Sequence, residues 1–333
     1  MTLDTILAQF EQNTDNSSFV DRLKITIDQL IKLTPTIPHP ASGNTYQRWQ
    51  ILAKVAATDL NLVKWFESHL DAVSILHELG EPLSQAITST KLCAVWAAEG
   101  SQKPICFDDG MISGQKTWCS AASLVDYGLM TYRDAQQQSQ LLLVDMQHAN
   151  IDIDTTDWQA VGMQHTQTAK ITFDDVPAQA IAAPDDYLSR AGFWHGAAGV
   201  AACWYGAAVR LAAFLQQACD RPDHHYRLMY LGQANRQLAA VKHSFLQLAQ
   251  QMDANPTQSH ELAVRILRAN VEEAALTVLD QVGKALGARP FCDNSTFARL
   301  AADLPVFLRQ SHAAHDLEQI GKLSVQEHVS WML

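Results

Sequence analysis

The stretch Gly114-Gln115-Lys116-Thr117-Trp118-Cys119-Ser120-Ala121-Ala122 decides the fold of this chain of 333 residues. Two motifs follow it in order, Gly162-Met163 and then Phe173-Asp174-Asp175-Val176-Pro177. Short apolar runs with alternating polar residues surround all three, which is typical of β-strands. By itself Trp118 would be assigned to a buried core, because Trp is large and apolar with a single donor. The three motifs in this order favour another role for it.

The periodicity of apolar residues divides the chain into three blocks. Helical spacing predicts an N-terminal α-helical domain over 1–88, and alternation predicts a middle β-barrel domain over 89–188. Long helical patterns with Pro and Gly breaks predict a C-terminal four-helix-bundle domain over 189–333. The four predicted helices of that bundle are Phe193–Ala218, Tyr226–Met252, Ser259–Leu286 and Thr296–Arg309. The fold class is therefore α+β.

Composition narrows the class of protein. The chain has 24 basic and 35 acidic residues and a net charge of −11, which argues against a nucleic-acid partner and against an anionic membrane surface. No basic leader precedes an apolar run at the N-terminus, so a cytoplasmic location is expected. Six scattered cysteines without a Cys-x-x-Cys pair predict reduced thiols.

Two clusters of ionisable residues raise the question of a metal. Neither His224 with His225 nor His312 with His315 and Asp316 has a supporting Cys at helical spacing. Zinc sites need three or four such ligands, so no metal is expected.

The segment Gly192 to Leu215 is long and largely apolar, as a membrane span would be. It carries His195 and Arg210 and is rich in Gly and Ala, which suits close contact with neighbouring helices or with a flat ligand. We interpret it as a buried helix of the bundle and expect no membrane partner.

The three motifs resemble the middle domain of the acyl-CoA dehydrogenase superfamily, and the α–β–α order resembles its architecture. In that family a Trp-Ile-Thr or Trp-Cys-Ser strand lies against the isoalloxazine ring of FAD. The resemblance implies that Trp118, Cys119 and Ser120 bind the flavin. Trp118 would cover one flank of the ring, and the Ser120 hydroxyl would hydrogen-bond its edge near N5.

Other cofactor residues follow from the same resemblance. Ala98 and Glu99 lie where relatives carry Thr-Glu-Pro, so the threonine hydroxyl is lost here. Arg221 stands near the place of an arginine that contacts the FAD pyrophosphate of a neighbouring subunit, and Gly287 near a Gly-Gly turn beside the adenosine half. The family pattern implies FAD and a homodimer or homotetramer. The weak pyrophosphate motif leaves FMN as the alternative.

The catalytic base of the family is missing. Relatives carry a glutamate in Tyr-Glu-Gly-Thr, and the matching segment here, residues 307–316, has no carboxylate at that position. Candidates for the base are His312, whose ordinary pKa of about 6.5 suits proton transfer at neutral pH, and Glu67 with His69. In relatives the helix that holds such a cluster faces the cavity over the flavin. The alternative for Glu67 and His69 is a solvated helix face.

Three functions remain open at this stage. The first is α,β-dehydrogenation of an acyl-CoA or acyl-thioester with hydride transfer to flavin N5, served by an electron acceptor flavoprotein. The second is a monooxygenase on the same fold that takes reduced flavin from a flavin reductase, in which His69, Ser120 and His312 would serve the oxygen chemistry. The third is a non-catalytic flavin-binding relative.

Overall fold

The structure of the protein is a computed structural model that describes residues 1–12, 18–82, 90–220 and 225–332. The described helices, in chain order, are α1 (Leu3–Gln12), α2 (Phe19–Leu30), α3 (Thr45–Thr58), α4 (Leu60–Glu78), α5 (Asp186–Ser189), α6 (Ala191–Ala218), α7 (His225–Ala254), α8 (Glu261–Leu286), α9 (Arg289–Asp293), α10 (Ser295–Phe307) and α11 (Ala314–Gln326). The strands are β1 (Cys93–Trp96), β2 (Cys106–Asp108), β3 (Met111–Cys119), β4 (Tyr127–Arg133), β5 (Ser139–Asp145), β6 (Ile151–Asp154) and β7 (Ala169–Ile181). The chain divides into two compact units, Met1–His39 with Asn61–Phe193 and Pro40–Leu60 with Trp194–Leu333.

The first unit is built around a seven-stranded sheet in the order β1-β4-β5-β7-β3-β2, with β6 paired to β7. Strand β7 is long because its two halves serve different neighbours. Its end pairs with β5, where Ile181 lies opposite Leu141, and its beginning pairs with β3 and β6. Phe173 in this first half lies opposite both Gly114 and Ile151. Strand β7, which contains the Phe173–Pro177 motif, therefore joins the strands β3 and β6 to the strand β5.

Helix α4 covers one face of this sheet. Ala72 and Leu76 of α4 belong to the same buried cluster as Leu129 of β4 and Leu141 of β5. Residues 139–144 of β5 are all buried, which is expected for a strand covered on both faces. This packing holds in place the edge of the sheet that is formed by β1 and β4.

The second unit is helical, and α3 belongs to it. Trp49 of α3 packs edge-on against Phe245 of α7 with ring centroids 5.3 Å apart, and the Thr45 hydroxyl donates to Asp253. Helical spacing predicted one helical domain over residues 1–88, whereas these contacts place Pro40–Leu60 with the C-terminal helices. The predicted boundary at 88 lies outside the described residues, and the three-domain division stays a prediction.

Small residues on α6 allow α3 to approach closely. A Cβ atom added at Gly206 would collide with the backbone carbonyl of Ala53, and one at Gly199 would lie 3.1 Å from the Leu52 side chain. Within the second unit these glycines thus serve helix packing, the first of the two roles that the sequence left open. Among the described helices α6 alone is long and apolar enough to cross a membrane, and 67% of its most apolar window is buried inside the protein.

Candidate functional site

Strand β3 ends in a β-bulge. Lys116 lies opposite Ile171 and Cys119 opposite Ala169, so β3 has one residue more than β7 in this interval. Trp118, inside the bulge, has φ of +58°, a left-handed conformation that bulky residues rarely adopt. Its side chain is 67% exposed. The bulge therefore turns a large aromatic ring to the surface of the first unit, so Trp118 is not a core residue.

Two buried indoles hold the residues that follow. The Trp96 Nε1–H donates to the carbonyl of Ser120 at 3.0 Å. The carbonyl of Thr166 accepts from the Ala121 amide at 2.8 Å and from the Trp65 Nε1–H at 2.8 Å. The segment after Gly162-Met163 thus lies directly beside Ala121. These hydrogen bonds are made by Ser120 and Ala121, directly after the bulge, and none of them involves Trp118.

Cys119 and Ser120 are buried between these supports. Cys119 is fully buried, and burial raises the pKa of its thiol, which keeps it protonated. Ser120 is 5% exposed, and its hydroxyl makes no hydrogen bond to any residue that the structure describes. With no partner among the described residues, this hydroxyl can donate a hydrogen bond to a ligand.

A pocket of about 180 Å³ adjoins the bulge. It is lined by residues 98–101, 104–105, 115–117 and 131–133, and it includes Ala98 and Glu99. Glu99 lies 3.6 Å from the Arg133 guanidinium, and both side chains are nearly half exposed, so this ion pair contributes little to stability. Small-molecule pockets usually measure about 300 to 1,000 Å³. This one can hold a part of a larger ligand.

Lys116 lines the same pocket. No sequence motif assigned it a catalytic or cofactor-binding role. Its side chain is 4% exposed, and its Nζ donates to the carbonyl and the hydroxyl of Thr131. The Thr131 hydroxyl donates in turn to the Ala97 carbonyl at 3.3 Å. Burial lowers the pKa of Lys116. The alternation of buried and exposed residues along β3 indicates that Lys116 points inward. Its hydrogen-bond partner, Thr131, lies on β4, and the sequence of β3 does not reveal it.

Glu67 and His69 are both buried, so the solvated helix face is wrong. The Cys93 amide donates to His69 Nδ1 at 3.2 Å, which leaves the proton on Nε2, 3.1 Å from the Thr34 hydroxyl. Both ring nitrogens of His69 are therefore engaged within the protein. Glu67 accepts from Lys64 at 3.2 Å. These two residues lie in the same unit as Trp118, but each is bound to partners of its own.

His312 is exposed and lies in the second unit, in the turn before α11. Its amide donates to one carboxylate oxygen of Asp316 at 2.9 Å, and the other oxygen accepts from Arg265 at 2.7 Å. Asp316 is the carboxylate of the segment 307–316 that matches the family motif, and both its oxygens hold this turn. The ring of His312 meets only that of His315, edge-on at 6.4 Å, among the ring contacts of the described residues.

Replacing Asp316 with Ala tests whether this carboxylate is structural. We expect the free energy of unfolding to fall by about 1–2 kcal/mol, because the mostly buried Arg265 guanidinium loses one of its two carboxylate partners and the His312 amide loses its acceptor. Chemical denaturation measures it. Glu318→Ala on the same helix removes an exposed ion pair with Lys322 and should change stability little. Equal effects of the two substitutions would contradict the structural role.

The remaining predicted residues are placed as follows. Gly287 ends α8 with φ of +67°, and its amide donates to the Gly283 carbonyl at 2.9 Å, so a helix end with positive φ, which favours glycine, explains this residue. Arg221 lies outside the described residues. Ala98, Glu99, Trp118, Cys119 and Ser120 lie in one unit, at the bulge and the pocket beside it. In the described ranges no group of three or more His, Cys, Asp or Glu could hold a metal ion.

Solved structures share this fold. Protein-family models and curated proteins give no match. Butyryl-CoA dehydrogenase from Megasphaera elsdenii superposes with a TM-score of 0.82 at 14% identity, covering 97% of each chain. KijD3 in complex with FMN and an amino-keto sugar nucleotide gives 0.77 at 16%, covering 98% of this chain and 92% of that one. TdsC from Paenibacillus sp. A11-2 with FMN and indole gives 0.75 at 16%, covering 98% and 95%.

These likenesses establish the class of fold. The chain has the α+β fold of the acyl-CoA dehydrogenases, as its motifs predicted. At such low identities the likeness defines the fold alone, and the chemistry has to be argued from the residues of the site.

Proposed function

We propose that this protein is a flavin-dependent oxidoreductase that holds the flavin ring against the bulge at Trp118 and Ser120. One observation carries the proposal: an exposed indole in a left-handed conformation lies two residues before a largely buried serine whose hydroxyl has no hydrogen-bond partner among the described residues. A flat heteroaromatic ring with a polar edge fits both, since it would cover the indole and accept from the hydroxyl. KijD3 and TdsC, which share the fold, were solved with FMN.

The flavin would supply two-electron redox chemistry. Which reaction it serves depends on whether a candidate base is available to the substrate or is already bound within the protein. Removal of an α-proton from an acyl thioester needs a base that is available to substrate. Glu67, His69 and Asp316 are engaged with partners within the protein, which leaves His312. We therefore favour a monooxygenase that takes reduced flavin from a partner flavin reductase. Methanesulfinate monooxygenase MsuC from Pseudomonas fluorescens and a nitrososynthase have the same fold.

The second candidate is α,β-dehydrogenation of an acyl-CoA or acyl-thioester, with His312 as the base and an electron acceptor flavoprotein as partner. The high TM-score to butyryl-CoA dehydrogenase favours it. We propose FMN as the cofactor of the monooxygenase and FAD as the cofactor of the dehydrogenase. In both cases we propose a cytoplasmic homodimer or homotetramer.

Two measurements separate these functions. The purified protein is first titrated with FMN and with FAD, and flavin fluorescence and absorbance report binding. It is then given a flavin reductase and oxygen, or mixed without oxygen with acyl-CoA of graded chain length. Oxygen uptake beyond that of the reductase supports the monooxygenase, and bleaching by an acyl-CoA supports the dehydrogenase. Flavin binding without either reaction supports the non-catalytic relative, and no flavin binding contradicts all three.

Substitutions at the bulge test the site itself. We expect Ser120→Ala to weaken flavin binding about 5-fold, the effect of one lost hydrogen bond, and Trp118→Ala to weaken it about 10-fold. Ser120→Thr retains the hydroxyl and should bind as the wild type does. Trp331→Ala is the matched control for Trp118, because Trp331 is 87% exposed but lies in the other unit. Unchanged affinity in both alanine variants at the bulge would place the flavin elsewhere.

A further inference from the structure

Lys116 is a buried cation without a carboxylate partner. Its Nζ is bonded to the carbonyl and hydroxyl of Thr131, and no carboxylate lies within ion-pair distance of it in the part of the chain that the structure describes. Neutral acceptors satisfy the hydrogen bonds of an ammonium group but leave its charge unbalanced. Burying such a charge is costly, and the cost is reduced when an anion comes close.

Two other charges line the pocket and act on Lys116 in opposite directions: Glu99 raises the pKa of its ammonium group and Arg133 lowers it. Glu99 is the carboxylate among the pocket-lining residues, and it lies at 3.6 Å from Arg133, another pocket residue. Both of these side chains are nearly half exposed, so water screens them, whereas Lys116 is 4% exposed. The pocket thus keeps one net positive charge, and the buried lysine carries it.

We propose that the buried ammonium of Lys116 makes the pocket beside Trp118 prefer reduced flavin to oxidised flavin. The inference rests on the proposed flavin site. The oxidised isoalloxazine ring is neutral, whereas the reduced ring loses a proton near neutral pH and becomes an anion. Because Lys116 is screened weakly from ligands in its pocket, its charge stabilises the anionic ring more than the neutral one. The phosphate of FMN is the same in both states and does not affect the preference.

Lys116 acts here through its charge and through its position on β3, two residues before Trp118. The bond to Thr131, together with the bond from Thr131 to Ala97, links β3 and β4 to the segment that carries Ala98 and Glu99. A purely structural role for the lysine would depend on this link. An electrostatic role would depend on the charge, and conservative variants separate the two.

The experiment measures the dissociation constants of oxidised and chemically reduced FMN, without oxygen, for wild type and variants. We expect the wild type to bind reduced FMN at least about 10-fold more tightly, and Lys116→Met or Lys116→Gln to remove most of that ratio. Lys116→Arg keeps the charge and should keep the ratio. Thr131→Val removes the hydroxyl but not the ammonium and should also keep it. Circular dichroism checks that each variant is folded.

Three results would overturn the proposal. The first is a ratio of the two dissociation constants near one in the wild type. The second is a Lys116→Met or Lys116→Gln protein that keeps the wild-type ratio. The third is a Thr131→Val protein that loses it. A wild type that binds both forms equally leaves the flavin site standing and removes only the role of Lys116. A wild type that binds neither form removes the proposed function as well.

Discussion

Gly206→Ala is expected to lower the free energy of unfolding by about 2–3 kcal/mol. A methyl group at this position in α6 would enter the backbone carbonyl of Ala53 in α3. Backbone atoms cannot rotate away as the end of a side chain can, so the two helices must separate along their contact. The substitution therefore also loosens the packing around Trp49, which lies on the same helix as Ala53.

Gly232→Ala is the matched control, because Gly232 is also a helical glycine of the second unit. A Cβ atom there meets nothing within 4 Å. Alanine is the better helix former, so this variant should gain up to about 1 kcal/mol. Urea denaturation of both variants provides the comparison. If Gly206→Ala were as stable as Gly232→Ala, the close approach of α3 to α6 would be wrong.

The other large effect is expected for Gly128→Ala in β4, at about 2–4 kcal/mol. Its Cβ atom would collide with the six-membered ring of Trp96, which is buried. Trp96 must then move, and its Nε1–H leaves the Ser120 carbonyl. We expect flavin binding to weaken along with stability, since the hydroxyl of Ser120 shifts with its backbone.

A double-mutant cycle isolates this contact. Gly128→Ala is measured in the wild type and in Trp96→Phe, which removes part of the ring that the methyl group meets. The cost of Gly128→Ala should be smaller in the Trp96→Phe background, and the difference is the coupling between the two positions. Equal costs in both backgrounds would show that the clash arises from another neighbour.

The sequence predicted the fold because its signals are local. Helical periodicity placed the long helices within a few residues of their observed ends, so that the predicted Ser259–Leu286 is observed as Glu261–Leu286. The motif Trp118-Cys119-Ser120 predicted a strand at this place, whereas the bulge in that strand is seen only in the structure. Ala98 and Glu99 were found by their place in the order of motifs, and both line the pocket.

The candidate bases were harder to predict, because burial and partners come from residues distant in sequence. His69 meets Thr34 and Cys93, which are 35 and 24 residues away. No local pattern distinguishes such a histidine from one that faces a cavity. Lys116 was missed for the same reason, since its burial depends on acceptors of β4.

The order of hydrophobic and turn residues thus determined by itself the three kinds of block, the strands and helices, and the motif that carries Trp118. Only the tertiary structure decided that α3 packs with the C-terminal helices, that Trp118 is exposed while Ser120 is buried, and that no carboxylate of the described residues lies within ion-pair distance of Lys116. The physical reason is that periodicity records which face of an element avoids water. Which groups meet on that face, and whether a buried charge or hydroxyl finds a partner, is decided by contacts between strands and helices far apart in the chain.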